Sequence, residues 1–224
     1  MEFWKQNTIW FDDLPKDDFG LIKYKENNKD ISLLSKKAYI ILWNYNTKNN
    51  TLCKLPANNS LQYLELNLSN CESVEGIKNF PHIKRLELHY CLKLVSDEGL
   101  SNVADSLEWL HINKSKKFKF SNELIKLKKL KVLCLNDCGS IDNLDFLQYF
   151  PSLVDFRFVN TNIKNGDLTP ILEHKSLINA GFLNKKHYNY NSETVKDILN
   201  KRNHAFRTPI YKGAFKTYKY DIFD

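Results

Sequence analysis

The chain has 224 residues, 42% of them hydrophobic and 13% aromatic, which excludes a disordered composition and suffices for one domain with a sizeable core. The formal net charge is +7, and the stretch Lys114–Lys131, with eight lysines and one glutamate, carries all of that excess. The first residues lack a basic start followed by an apolar run, and the longest apolar run, Ala38–Trp43, is too short for a bilayer, so the expectation is a cytoplasmic protein with no membrane partner.

In chain order, residues 1–37 hold Trp4, Trp10, Phe11, Phe19 and Leu21 amid charge and are predicted to form an N-terminal cap. From 38 to 190 the pattern L-x-x-L-x-L recurs, at Leu61/Leu64/Leu66, Ile83/Leu86/Leu88, Leu107/Leu110/Ile112 and Leu130/Leu133/Leu135. Variants follow at Leu153/Phe156/Phe158 and Leu177/Ala180/Phe182, and Ala38/Ile41/Trp43 is a plausible first turn. The steps between starts are 23, 22, 24, 23, 23 and 24 residues. A near-constant period of this length marks a repeat architecture. Eight residues after each start stand Asn46, Ser69, Cys91, Ser115, Cys138, Thr161 and Lys185, small polar or thiol side chains in all but the last. Residues 191–224 are predicted as a short helix capped by Ser192, with Val195, Ile198 and Leu199 on one face, and an aromatic tail folded back on the final repeat.

The strings LQYLELNLSNC, IKRLELHYC, LEWLHINKS and LKVLCLNDC resemble the core of leucine-rich repeats. The resemblance covers roughly residues 38–190 and looks closest to small cytoplasmic bacterial members of that family. It implies an α/β solenoid: a leucine-rich-repeat horseshoe with a concave parallel β-sheet of about seven strands and short helices or turns on the convex side. It also implies that the small-polar column turns inward and hydrogen-bonds the backbone of the bend. Being a scaffold for many partners, it says little about function.

Strand alternation points the leucines inward and the residues between them outward, and parallel stacking aligns those residues in columns. Tyr63, Glu65, Arg85, Glu87, His89, Trp109, His111, Asp155 and Arg157 then form the candidate partner-binding face. Tyr, Trp and Arg are the side chains most enriched at interface hot spots. Trp109 is expected to be exposed at the centre, so that its truncation costs binding rather than stability.

Two sharper chemistries compete with this reading. Glu87, His111 and Cys134 fall in one column, as an acid–imidazole–thiol row would, but an open sheet gives no pocket to exclude water. The Lys114–Lys131 stretch, with Phe118 and Phe120, is the nucleic-acid alternative. The five cysteines lack C-x-x-C spacing, and the six histidines are scattered, with only His89 and His111 close in register, so neither disulfides, cofactors nor metal are expected. The expectation is a non-enzymatic protein-binding module, with an immunity or inhibitor protein that neutralises a toxin as the candidate role and an adaptor subunit as the alternative.

Overall fold

The computed structural model describes residues 2–24, 29–202 and 206–223. Eight strands form one open parallel sheet: β1 (Phe19–Lys23), β2 (Tyr39–Trp43), β3 (Tyr63–Asn67), β4 (Arg85–His89), β5 (Trp109–Asn113), β6 (Val132–Asn136), β7 (Asp155–Arg157) and β8 (Asn179–Gly181). Each strand pairs with the next in sequence, so spatial order and chain order coincide. Short 3₁₀ turns make most of the returns, and among the described residues only α1 (Thr169–Glu173) and α2 (Ser192–Asn200) are α-helical. No helix among the described residues is long and apolar enough to cross a membrane.

The alternation of each strand fixes two sides. Leu64, Leu66, Leu86, Leu88, Leu110, Ile112, Leu133 and Leu135 point into a continuous apolar core that runs from β2 to α2. Their neighbours form two aligned rows on the opposite side, here the front face. One row runs Tyr39, Tyr63, Arg85, Trp109, Val132, Asp155, Asn179, and the other Ile41, Glu65, Glu87, His111, Cys134, Arg157, Gly181.

Three sequence expectations need correction. β1 lies inside the segment read as a cap and makes the sheet eight strands, not about seven. The register of β2 is offset by one: Ile40 and Leu42 enter the core, and Trp43 lies on the front face, 40% exposed. Because Tyr39, Ile40, Ile41, Leu42 and Trp43 are all apolar or aromatic, no alternation in sequence sets their direction. The step into β3 is thereby 24 residues, and Tyr45 rather than Asn46 occupies the inward position of that turn, fully buried. The helix α2 is capped by Asn191, whose side chain accepts from the Thr194 N–H at 2.8 Å, rather than by Ser192.

The small-polar column behaves in two ways. The Thr161 hydroxyl donates to Leu135 O at 2.6 Å and accepts from the Cys138 N–H at 2.9 Å, and the Cys138 thiol lies 3.4 Å from Ile112 O. The hydroxyls of Ser69 and Ser115 are buried with no partner. Just before that column the backbone turns left-handed in each of six repeats, at Asn44, Leu68, Tyr90, Lys114, Asp137 and Asn160, with φ between 53° and 60°. Each of the first five still donates its N–H across to the following repeat, as Leu68 does to His89 O at 3.0 Å and Tyr90 to Asn113 O at 3.0 Å.

Gly76 and Gly99 open the 3₁₀ turns of successive repeats with φ of 96° and 98°. A Cβ on Gly99 would stand 2.8 Å from Val74 O, and one on Gly76 would strike the backbone of Leu52 and Cys53. Both positions thus combine a left-handed backbone with contact against the preceding turn. Gly76→Ala is expected to lower stability by about 2–3 kcal/mol, read as a shift in urea midpoint with unchanged slope.

Candidate functional site

The front face is the candidate site, and half of it is covered by the chain's own ends. Residues Phe3–Ile9 run across it beside an antiparallel hairpin, β9 (Arg207–Lys212) and β10 (Phe215–Tyr220). The two ends meet through the Asn7 N–H, which donates to Tyr218 O at 2.7 Å, and a bridge between Gln6 and Lys219. Together they form a second apolar cluster that includes Trp4, Tyr39, Tyr63, Trp109, Val132, Cys134, Tyr220 and Phe223. The aromatic tail therefore packs over the central strands and not over the last repeat.

Trp109 is the centre of that cluster and is only 2% exposed. Its ring meets Tyr220 edge-on at 5.1 Å and Phe223 in a stack at 6.3 Å, with the Arg85 guanidinium 3.8 Å from its centroid. The expectation of an exposed hot spot is corrected here: apolar area of this size is covered within the chain itself. Tyr63, Arg85, Glu87 and Asp155 are buried as well, while Glu65, His89, His111 and Arg157 are half-buried.

Two arginines fasten the cover. Arg85 donates from Nη1 to Trp4 O at 3.0 Å and to Gln6 O, from Nη2 to Asn7 O at 3.2 Å, and from Nε to Glu87 Oε1 at 2.6 Å. Arg157 donates to Asp155, to the Tyr220 hydroxyl and, at 2.8 Å, to Asn7 Oδ1. Asp155, with no exposed surface, also accepts from the Tyr220 hydroxyl at 2.6 Å and the Asn179 amide at 2.8 Å. Lys131 adds a bond to Ile222 O at 2.7 Å and an ion pair with Glu108 at 3.1 Å. Planar guanidinium forks suit this task because one side chain can satisfy several backbone carbonyls that the cover would otherwise bury unpaired.

Beside the cover, Glu87 Oε2 is shared by two imidazoles, His89 Nε2 at 2.7 Å and His111 Nδ1 at 3.8 Å. The rings pack edge to face with centroids 4.8 Å apart. Burial alone would raise the Glu87 carboxyl, but the Arg85 charge, the hydrogen bond with His89 and the nearby His111 ring hold it well below the usual carboxylate range. Burial likewise works to lower both imidazoles; for His89 the bond to Glu87 prevails and its pKa rises, whereas His111 stays depressed.

The acid–imidazole–thiol row is in register but lacks an activated nucleophile. Burial pushes the Cys134 thiol up to about 12, which leaves almost no thiolate at neutral pH. In the basic stretch, Phe118 is buried and Phe120 packs on Phe146 with ring centroids 4.7 Å apart, so neither ring is placed to stack on a base. Lys114 pairs with Asp137, Lys126 with Glu123 and Lys131 with Glu108.

The uncovered part of the front face carries an apolar edge that the sequence reading did not single out. Trp43 is 40%, Leu68 46% and Tyr90 46% exposed, with Leu92 and Val95 also exposed further along the same turn. Leu68 and Tyr90 occupy left-handed positions where the equivalent residues include Asn44, Asp137 and Asn160. Asn and Asp tolerate that backbone through local hydrogen bonds. That column was readable in the sequence, and its two apolar members were the available signal.

Comparison of the sequence with family models and with curated proteins finds no match.

Asp155 and Glu87 both have native pKa values below their unfolded ones. The stability they contribute is therefore complete above about pH 4 and is lost as the pH falls through the native values. Tryptophan fluorescence should hold constant down to about pH 4 and then report loss of the cover around Trp4 and Trp109. Asp155→Asn should cost about 3 kcal/mol at neutral pH, because it leaves Arg157 without its counter-charge, and should flatten the acid limb. Trp109→Ala should lower stability by about 3–5 kcal/mol in chemical denaturation, the cost of a large core truncation.

Proposed function

We propose that this chain is a leucine-rich-repeat solenoid that binds a protein partner without catalysing a reaction, and that the partner docks on the uncovered edge around Trp43, Leu68 and Tyr90. One observation carries the reading. Leu68 and Tyr90, adjacent in the stack, combine two unfavourable features at the same residues: a left-handed backbone with φ of 54° and 55°, and an apolar side chain nearly half exposed. Neither feature improves folding, and burial by a partner removes the cost of exposure. Trp43 extends the same surface with an aromatic ring. The soluble-repeat reading suits the absence of a long apolar helix among the described residues.

This moves the docking surface from the central residues Tyr63, Arg85, Trp109 and Asp155 to the row beside them. Of the residues first expected there, His89 directly precedes Tyr90, and Glu65 accepts a bond at 2.6 Å from Asn67, the residue before Leu68. Capture of a toxin by an immunity or inhibitor protein is the narrower form of this proposal; an adaptor subunit is its rival. Protection of cells on co-expression with the adjoining gene's product separates the two.

Leu68→Asn and Tyr90→Asn each place a left-handed-tolerant residue at the strained position. Each is expected to raise stability by about 0.5–1 kcal/mol in thermal or urea unfolding. Each is also expected to weaken capture of the partner by tenfold or more, on the order of 1.4 kcal/mol. A partner recovered from native cells equally well by wild type and by the Leu68→Asn/Tyr90→Asn double variant would place the interface elsewhere.

A further inference from the structure

Glu87 and His89 stand two residues apart on β4 and so share one face, and His111 is the direct cross-strand partner of Glu87 on β5. Strand geometry brings i, i+2 and cross-strand neighbours close enough for three side chains to converge on one point. One ligand atom from each lies within 4.8 Å of the other two. Three donors around a zinc ion at about 2.1 Å with tetrahedral angles stand about 3.4 Å apart, so side-chain rotations that change the donor separations by up to about 1.4 Å complete the set. We propose that Glu87, His89 and His111 form a binding site for a divalent transition-metal ion, zinc foremost.

The surroundings favour this donor set. Arg85 holds Glu87 Oε1 at 2.6 Å, which leaves Oε2 as the oxygen facing both imidazoles. Glu65, the cross-strand partner of Glu87 on β3, places a second carboxyl side chain on the same row beside the site. Two imidazoles with one carboxylate select a borderline ion such as zinc over calcium or magnesium, which prefer oxygen. The His89 and His111 side chains keep 16% and 21% of their surface exposed, which leaves the ion a route in from solvent.

The outer nitrogen of each ring also has a partner. Asn113 Nδ2 lies 3.4 Å from His89 Nδ1, and Asn136 Nδ2 lies 3.1 Å from His111 Nε2. In the metal-free arrangement these amides donate to the rings, and the ring protons sit on the nitrogens facing Glu87. An ion bound at those nitrogens shifts each ring proton to the outer nitrogen, with no net proton loss from neutral rings. A half-turn of each amide then presents its oxygen to the new N–H, the arrangement that orients metal-bound histidines. For Asn136 the turn releases the bond it accepts from the Val159 N–H at 2.9 Å, which lies at the exposed surface where water can replace it.

The full chain, freed of metal with chelator, is titrated with zinc chloride in a calorimeter and with cobalt chloride in a spectrophotometer. One zinc per chain is expected at micromolar or tighter affinity, with visible cobalt bands of a low-coordinate nitrogen–oxygen site. His89→Gln and His111→Gln should each weaken zinc about tenfold or more and remove the cobalt bands, with an unchanged circular dichroism spectrum. Affinity should also fall as the pH drops through the histidine range, since protons then compete for the rings. The proposal is overturned if wild type takes up no zinc at micromolar concentrations, or if the His89→Gln/His111→Gln double variant, still folded, binds zinc as tightly as wild type.

Discussion

Parallel, in-register pairing of eight strands is the constraint from which the rest of the structure follows. A slip of one residue in any of β3 to β6 would turn its core leucines onto the front face and its front-face residues into the core. Because the register holds from β1 to β8, the same position in successive strands becomes a column. The columns set Arg85 beside Trp109, Glu87 beside His111, and Val132 beside Asp155. No single repeat contains any of these neighbourhoods.

The second core, beneath the two ends of the chain, is held by different physics from the first. Leucine packing is non-directional and tolerates many arrangements of equal volume. The bonds from Arg85 to the carbonyls of Trp4, Gln6 and Asn7, and those among Arg157, Asp155 and Tyr220, are directional. A buried ion pair adds little net stability, since desolvation offsets most of the attraction, but a misplaced one is severely penalised. The arginines therefore choose where the ends lie, and the rings of Trp4, Trp109, Tyr220 and Phe223 supply the area that makes the choice stable.

Strands β3 to β6 were legible residue by residue, because leucines alternate there with polar or aromatic neighbours and recur at a steady step. Strand β1 was not, since Phe19–Lys23 carries no spaced leucines, and β2 was readable only to within one residue because its whole length is apolar or aromatic. From β3 onward the front-face columns keep the register read from the sequence, whereas in β2 they fall one residue away, and the exposure of the columns was not readable. Trp109 is covered by Tyr220 and Phe223, more than a hundred residues away, and such a contact leaves no local pattern to read. The Glu87–His89–His111 cluster was half visible: its two histidines were adjacent in register, and only the side-chain geometry showed both turned to one carboxylate.

The meeting of Gln6 with Lys219 has a consequence for the order of assembly. A chain emerging from the ribosome can stack its strands one after another as each becomes available, because every strand pairs with its predecessor. The lid cannot close until the β9–β10 hairpin and Phe223 have been made. Throughout synthesis Trp109 and Val132 therefore face solvent, and the nascent protein passes through a stage in which its sheet is complete while a broad greasy surface stays bare. A chaperone that recognises aromatic surface would have its window there, and emergence of the β9–β10 hairpin would end it.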